Sequence, residues 1–254
     1  MPEYRLLLDP RNPGQFLACC GLFEIAELLN PGGLATFQKD GTEFLLQSSA
    51  TLPPSEFALT DASDKNGSAH DPTLEPLELT VGNELIALNW WLNETLTKKS
   101  GFKTWGGQQT PRRVLNELLR LLGHSKLVSE LFAAKAYTKS RFGVDARSAW
   151  EPLDVGYSPN DMRQDAVTFP WVEVLAVIGL QGFRPTRKLQ KGSLYCYAAW
   201  QEPLPLIAAR GASTAPWKGL PALLFEFLIA VRGQGYKTFL FAKGVDHAPV
   251  TISL

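Results

Sequence analysis

The stretch LDPRNPGQFLACCGLFEIAELL, Leu8–Leu29, decides how the chain begins to fold. Leu8 ends a short apolar run that starts at Tyr4 and predicts a strand over Tyr4–Leu8. Pro10, Pro13 and Gly14 then make a corner, because proline fixes φ and cannot extend a strand ladder. Phe16–Leu29 follows as a helix, with Asn12-Pro13-Gly14 as its start signal and Asn30-Pro31-Gly32-Gly33 as its stop. Phe16, Leu17, Cys20, Phe23, Ala26 and Leu28 fall mostly on one broad face. The corner has two readings. A helix N-terminus presents free N–H groups to an anion, so Arg11 and the helix end can meet a backbone phosphate. Against that, NPGQ is neither GxGxxG nor a P-loop, and two prolines alone explain a tight corner.

Working outward, the 254 residues are 45% apolar and 20% charged, which is enough to bury a large core and excludes wholesale disorder. No apolar run reaches the roughly 18 residues that a membrane-spanning helix needs. MPEYRLLLDP lacks a basic segment before a long apolar one, so no signal peptide is read there and a cytoplasmic setting is expected. Cys19, Cys20 and Cys196 cannot all pair and lack metal-site spacing; the adjacent pair reads as two small hydrophobes in an apolar helix.

Zero net charge conceals a polarity. Residues 1–96 carry 4 basic and 14 acidic side chains, residues 97–147 carry 11 and 3, and residues 148–254 carry 10 and 8. A block of net charge +8 inside a neutral chain attracts a polyanion while the whole stays soluble.

The remaining pattern is α+β. Hairpins are predicted at Leu34–Phe37 with Glu43–Gln47, and at Leu77–Val81 with Glu84–Trp90; DASDKNGSAHDPTLEP (61–76) between them is an acidic surface loop. Thr110-Pro111 opens a helix to about Leu122, and a second helix is expected over Ser125–Tyr137. Ser140–Trp150 reads as extended, Phe169–Leu180 as a buried helix, and Ser193–Trp200 and Leu204–Arg210 as strands. Leu223–Arg232 and Tyr236–Lys243 close the chain as a hairpin around Gly233-Gln234-Gly235. Strands from both chain ends are expected to form one antiparallel core, with a faint echo of the aromatic strand of RNA-recognition folds in RGQGYKTFLFAKG; a ferredoxin-like form of that core is what the family resemblance given below implies. Its middle is basic and mostly helical. A single domain over 1–254 is expected, with an inserted basic lobe at about 93–165 left open.

The richest motif is KKSGFKTWGGQQTPRR, Lys98–Arg113. Lys98, Lys99, Lys103, Arg112 and Arg113 surround Phe102 and Trp105, with Gln108 as a hydrogen-bonding side chain. Aromatic faces inside a cationic loop suit single-stranded nucleic acid, whose bases stack and whose phosphates carry charge. The alternative is a solvated loop that Trp105 anchors to the core. The basic excess continues through Arg120, Lys126, Lys135, Lys139, Arg141 and Arg147 with few balancing carboxylates. In an extended SRFGVDARSAW segment Arg141 and Arg147 share a face, and Asp145 orients an arginine or completes an ordinary surface ion pair. FRPTRKLQKG adds Arg184, Arg187 and Lys188 as a second phosphate contact or a solvated loop.

His70, His124 and His247 are scattered, no Ser/His/Asp or Cys/His pattern stands out, and carboxylates show no paired spacing. No cofactor or metal is expected, and the chain reads as non-catalytic. An endoribonuclease would need His247 or His124 as general base beside a lysine. In the nucleic-acid-binding reading the acidic N-terminal third faces solvent or docks on a basic neighbour; a third reading is an assembly protein with no direct nucleic-acid role, whose charge polarity serves subunit docking.

NPGQFLACCGLFEIAELL, RFGVDARSAWEPLDVGYSPND (Arg141–Asp161) and GQGYKTFLFAKG together resemble a family of small proteins encoded with type I-G, formerly I-U, CRISPR systems. The resemblance implies a non-catalytic subunit of an RNA-guided antiviral effector complex. Its partners would be CRISPR RNA, target DNA and other subunits. It would take the large-subunit role or descend from a superfamily with ferredoxin-like cores and a C-terminal glycine-rich loop. Gly233, Gly235 and Gly244 would be a degenerate version of that loop.

Overall fold

The opening stretch folds as strand, corner and helix. In the computed structural model β1 (Glu3–Leu7) enters α1 (Pro13–Leu29), which returns the chain to β2 (Leu34–Gln38) and β3 (Glu43–Gln47). The structure describes residues 1–60, 76–93, 95–96, 98–106, 109–123, 127–149, 166–188, 193–232 and 236–245. The acidic loop from residue 61 to 75, the three histidines, Gln108, Lys126, the end of the Arg141–Asp161 block and the Gly233-Gln234-Gly235 turn lie outside them.

β3 pairs antiparallel with both β1 and β2, giving the order β1-β3-β2. The tight β2–β3 turn uses left-handed backbone at Lys39, Asp40 and Gly41, residue types that tolerate or supply it in turns. β4 (Phe57–Leu59), β5 (Leu77–Val81) and β6 (Glu84–Leu88) form an antiparallel meander. α2 (Pro111–Arg120) follows, then β7 (Ala136–Thr138) pairs with β8 (Ala166–Thr168). α3 (Pro170–Gly182) leads to β9 (Thr186–Arg187), β10 (Leu194–Trp200), α4 (Leu206–Thr214), β11 (Ala222–Arg232), β12 (Tyr236–Phe239) and β13 (Lys243–Val245). These last strands form a sheet ordered β12-β11-β10-β9, with β13 also on β11. The described residues thus make a mixed α/β fold of four helices and several antiparallel sheets.

Three sequence expectations change. Strands from the two chain ends lie in separate sheets, joined where Ala35 and Leu204 exchange N–H···O bonds of 3.0 Å. Leu204–Arg210 is not a strand: Pro205 ends the extended run and LIAARGAST continues as α4. The predicted Ser125–Tyr137 helix reduces, in its described part, to one 3-10 turn at Val128–Glu130 followed by β7, because Tyr137 finds a strand partner in Val167.

α1 and α3 are buried on nearly every side rather than along one stripe, as expected of helices that are apolar all round. They cross at Gly21 and Gly179. A Cβ on Gly21 would overlap the carbonyl oxygen of Leu175, and one on Gly179 would overlap that of Leu17. Phe16 links the layers, its ring 5.2 Å from Phe37 in β2 and 4.3 Å from Tyr197 in β10. Buried side chains from Leu6 to Ala242 form one cluster, which includes Phe102, Trp105, Val114, Leu118 and Phe142 from the basic middle. Among the described residues no helix is long and apolar enough to cross a membrane.

Candidate nucleic-acid interface

Helix α2 positions the first group of cations. Thr110 caps it, accepting a bond from the Arg113 N–H at 3.2 Å, and Pro111 occupies its first turn. Val114, Leu115 and Leu118 bury the inner face, so Arg112, Arg113, Asn116, Glu117 and Arg120 turn outward. Opposite stands β7 and its continuation. Together they line an open cleft of about 620 Å³ that holds Arg112, Arg113, Arg120 and Lys139 against one carboxylate, Glu117. The Arg112 guanidinium donates to the Thr60 carbonyl at 2.8 Å, which fixes its direction. Among the described residues no carboxylate forms an ion pair with Arg113 or Arg120. Tyr137 lines the same cleft with 65% of its surface in solvent. A cationic wall beside an exposed ring offers charge to phosphates and a face to bases.

A second cationic group forms elsewhere. Lys98 and Lys99 are exposed. Lys103 donates to the Trp105 carbonyl at 2.5 Å and lies 5.1 Å from the Trp105 ring centroid. Burial, then the charges of Lys99 and Lys237, pull its ammonium below the ordinary value. Lys237 arrives because its N–H bonds the Thr104 carbonyl at 2.7 Å, tying β12 to this loop.

The two aromatics expected to stack on bases are core residues. Phe102 packs on Tyr195 at 4.9 Å between centroids, and Trp105 packs on Trp90, Trp91 and Phe142. Both are buried, so the anchoring reading holds for them.

Arg141 and Arg147 belong to a buried polar node, not to a strand face. Residues 142–147 wrap around Glu173, whose carboxylate accepts the N–H groups of Phe142, Gly143, Val144 and Asp145 at 2.7–3.2 Å. Burial and the Asp145 charge push Glu173 up to about 7, against the pull of those N–H donors. Asp145 orients an arginine, as the sequence suggests. It accepts from Arg147 Nη2 at 2.7 Å, while Arg147 also bonds the Phe132 carbonyl and lies over Phe169 at 3.4 Å. Burial lowers the Arg141 guanidinium, opposed by Glu173.

The corner is closed to anions. Asn12 Oδ1 accepts from Gly14 N at 3.1 Å and from Ala146 N at 3.1 Å, and Asn12 Nδ2 donates to Asp145 at 2.7 Å. A Cβ on Gly14 would come within 2.7 Å of the Asp145 Cα, so the helix end and the 144–146 backbone touch. Arg11 is exposed but bound twice by Asp9. The phosphate reading of this corner is therefore replaced by the structural one.

In the FRPTRKLQKG segment Arg184 donates to the Leu92 carbonyl at 3.1 Å and Lys188 pairs with Glu226. Arg187 is exposed on β9. The structure thus gathers Arg112, Arg113 and Lys139 in one cleft, brings Lys99 and Lys103 near Lys237 in another place, leaves Lys98 exposed, and assigns Arg147 to structure. Arg120 was legible only as basic excess. Tyr137 was missed, though it carried a signal as an aromatic beside Lys135 and Lys139; Lys237 stood out in the closing RGQGYKTFLFAKG hairpin but not among the residues expected to bind.

No family model, curated protein or solved structure matches the chain.

Proposed function

We propose that the chain is a non-catalytic, cytoplasmic subunit of an RNA-guided CRISPR surveillance complex. It holds guide RNA or target DNA by the backbone in the cleft between α2 and β7. The supporting observation is the presence of Arg112, Arg113, Arg120, Lys139 and an exposed Tyr137 around one opening. In such complexes base pairing reads sequence and protein reads backbone and shape, so a cleft with several cations and little selectivity suits the task. The family resemblance of the corner, the 141–149 segment and the closing strands also favours it. These three segments meet at Asn12, Asp145 and Gly143, the last bonded to Phe239 N at 2.9 Å and to the Thr238 hydroxyl at 3.1 Å.

The matching fold reading is a ferredoxin-like descent. The unit β1-α1-β2-β3 has the order β1-β3-β2, and α3 packs on α1 as a second helix would. Among the described residues no fourth strand lies beside β1, so the likeness covers that half alone.

The test is charge reversal, Arg113→Glu with Arg120→Glu, assayed by filter binding of single-stranded RNA and DNA across salt. Binding should weaken, and the slope of log affinity on log salt should flatten by about one for each phosphate that the cleft no longer neutralises. Unchanged affinity and slope would remove the cleft from the proposal.

A further inference from the structure

Among the described residues the β4-β5-β6 meander ends in an open edge at β6. Gly82 and Asn83 make a two-residue hairpin turn, and β5 spends the alternate set of its backbone groups on β4, as in Thr60 N to Glu78 O at 3.0 Å. The N–H and C=O groups of Leu85 and Ala87 therefore point away from β5. Among the described residues nothing bonds them. Natural edges carry lysine, proline or a bulge that blocks further pairing. Glu84–Leu88, ELIAL, has none of these.

Beside this edge runs a groove of about 660 Å³, walled by Leu85 and Ala87 on one side and by Leu28, Ile178, Leu206 and Ile207 on the other. Leu85 is 52% and Ile207 82% exposed, an apolar surface that water does not favour. The charge around it is one-sided. Arg210 is the cation in the groove, and Glu24 takes its guanidinium through two hydrogen bonds. Glu27 lines the groove, Glu78 stands opposite Ala87 on β5, and Glu84 precedes Leu85 on β6.

We propose that this edge receives an extended segment of a partner protein. The segment adds as a fourth strand on β6, sets alternate apolar side chains into the groove and carries lysine or arginine at the intervening positions. Main-chain bonds to Leu85 and Ala87 supply attachment, and the carboxylates select the charge. This surface is separate from the cationic cleft, so either can fail alone.

The experiment uses the full chain and a displayed library of peptides about ten residues long, with Val, Ile or Leu at alternate positions and any residue between. Enriched peptides should be basic at the varied positions. Two variants check the site. Ala87→Pro removes one outward N–H and leaves the β5 ladder whole, and Ile207→Lys adds a cation on an exposed helix residue. Each should weaken the enriched peptides by about tenfold or more, with circular dichroism and the nucleic-acid salt slope unchanged. No enrichment, acidic or neutral enrichment, or equal binding to both variants would overturn the proposal. So would self-association of the chain that Ala87→Pro abolishes, since the occupant would then be a second copy.

Discussion

Asn12 and Asp145 hydrogen-bond at 2.7 Å with both side chains buried, joining the corner before α1 to a loop 133 residues later. The same Asn12 side chain caps α1 and takes the Ala146 N–H. Asn12→Ala removes all three bonds and leaves Asp145 with one partner fewer. The expected loss is about 2–4 kcal/mol, a cap plus a buried charged bond. Urea unfolding measures it. Asn12→Asp should be worse than Asn12→Ala, since it sets two carboxylates together.

Glu173 makes stability depend on pH. Its folded value of about 7 lies above the ordinary 4.5, so between these pH values the folded state binds the extra proton. The Glu173 contribution to stability should therefore be greatest below about pH 4.5, fall as pH rises to about 7, and level off above that, a difference of at most about 3 kcal/mol. Subtracting the profile of Glu173→Gln isolates the effect. A difference that rises with pH would mean that the four N–H donors outweigh burial.

The crossing of α1 and α3 depends on the absence of two side chains. Gly21→Ala and Gly179→Ala should each cost about 1–3 kcal/mol or more, because the new methyl meets backbone that cannot rotate away. Gly211→Ala in α4 is the control: nothing lies near its Cβ, and it should be neutral or stabilise by up to about 1 kcal/mol. Thermal melting separates the three.

Tyr137 and Trp105 should part company in binding assays. Tyr137→Ala should leave folding nearly intact and weaken single-stranded nucleic acid by about 1–3 kcal/mol, the weight of one stacked base. Trp105→Ala should instead destabilise the fold by about 3–5 kcal/mol, as a large buried ring does.

These contrasts indicate what the residue order carries. Local signals were legible: Thr110-Pro111 opens α2, Pro13 opens α1, and the Gly82-Asn83 turn sets a hairpin. The Asp145–Arg147 bond was legible too, because its partners lie two residues apart. Glu173 was not, since its four donors come from a segment some thirty residues away. Phe102 and Trp105 read as binding residues because an aromatic among lysines looks the same whether its ring points out or in. Tyr137 was hidden by a helical reading of its segment; pairing with Val167 turns it into a strand residue with its ring exposed.

Binding in the cleft between α2 and β7 is read out by photocrosslinking single-stranded RNA containing 4-thiouridine to the full chain and locating the crosslinked peptides by mass spectrometry. Adducts are expected on the peptide containing Tyr137 and on those bordering Arg113 and Arg120, and Arg113→Glu with Arg120→Glu should suppress them. Adducts confined to Lys98–Lys103 and Lys237, with the cleft unlabelled, would contradict binding there.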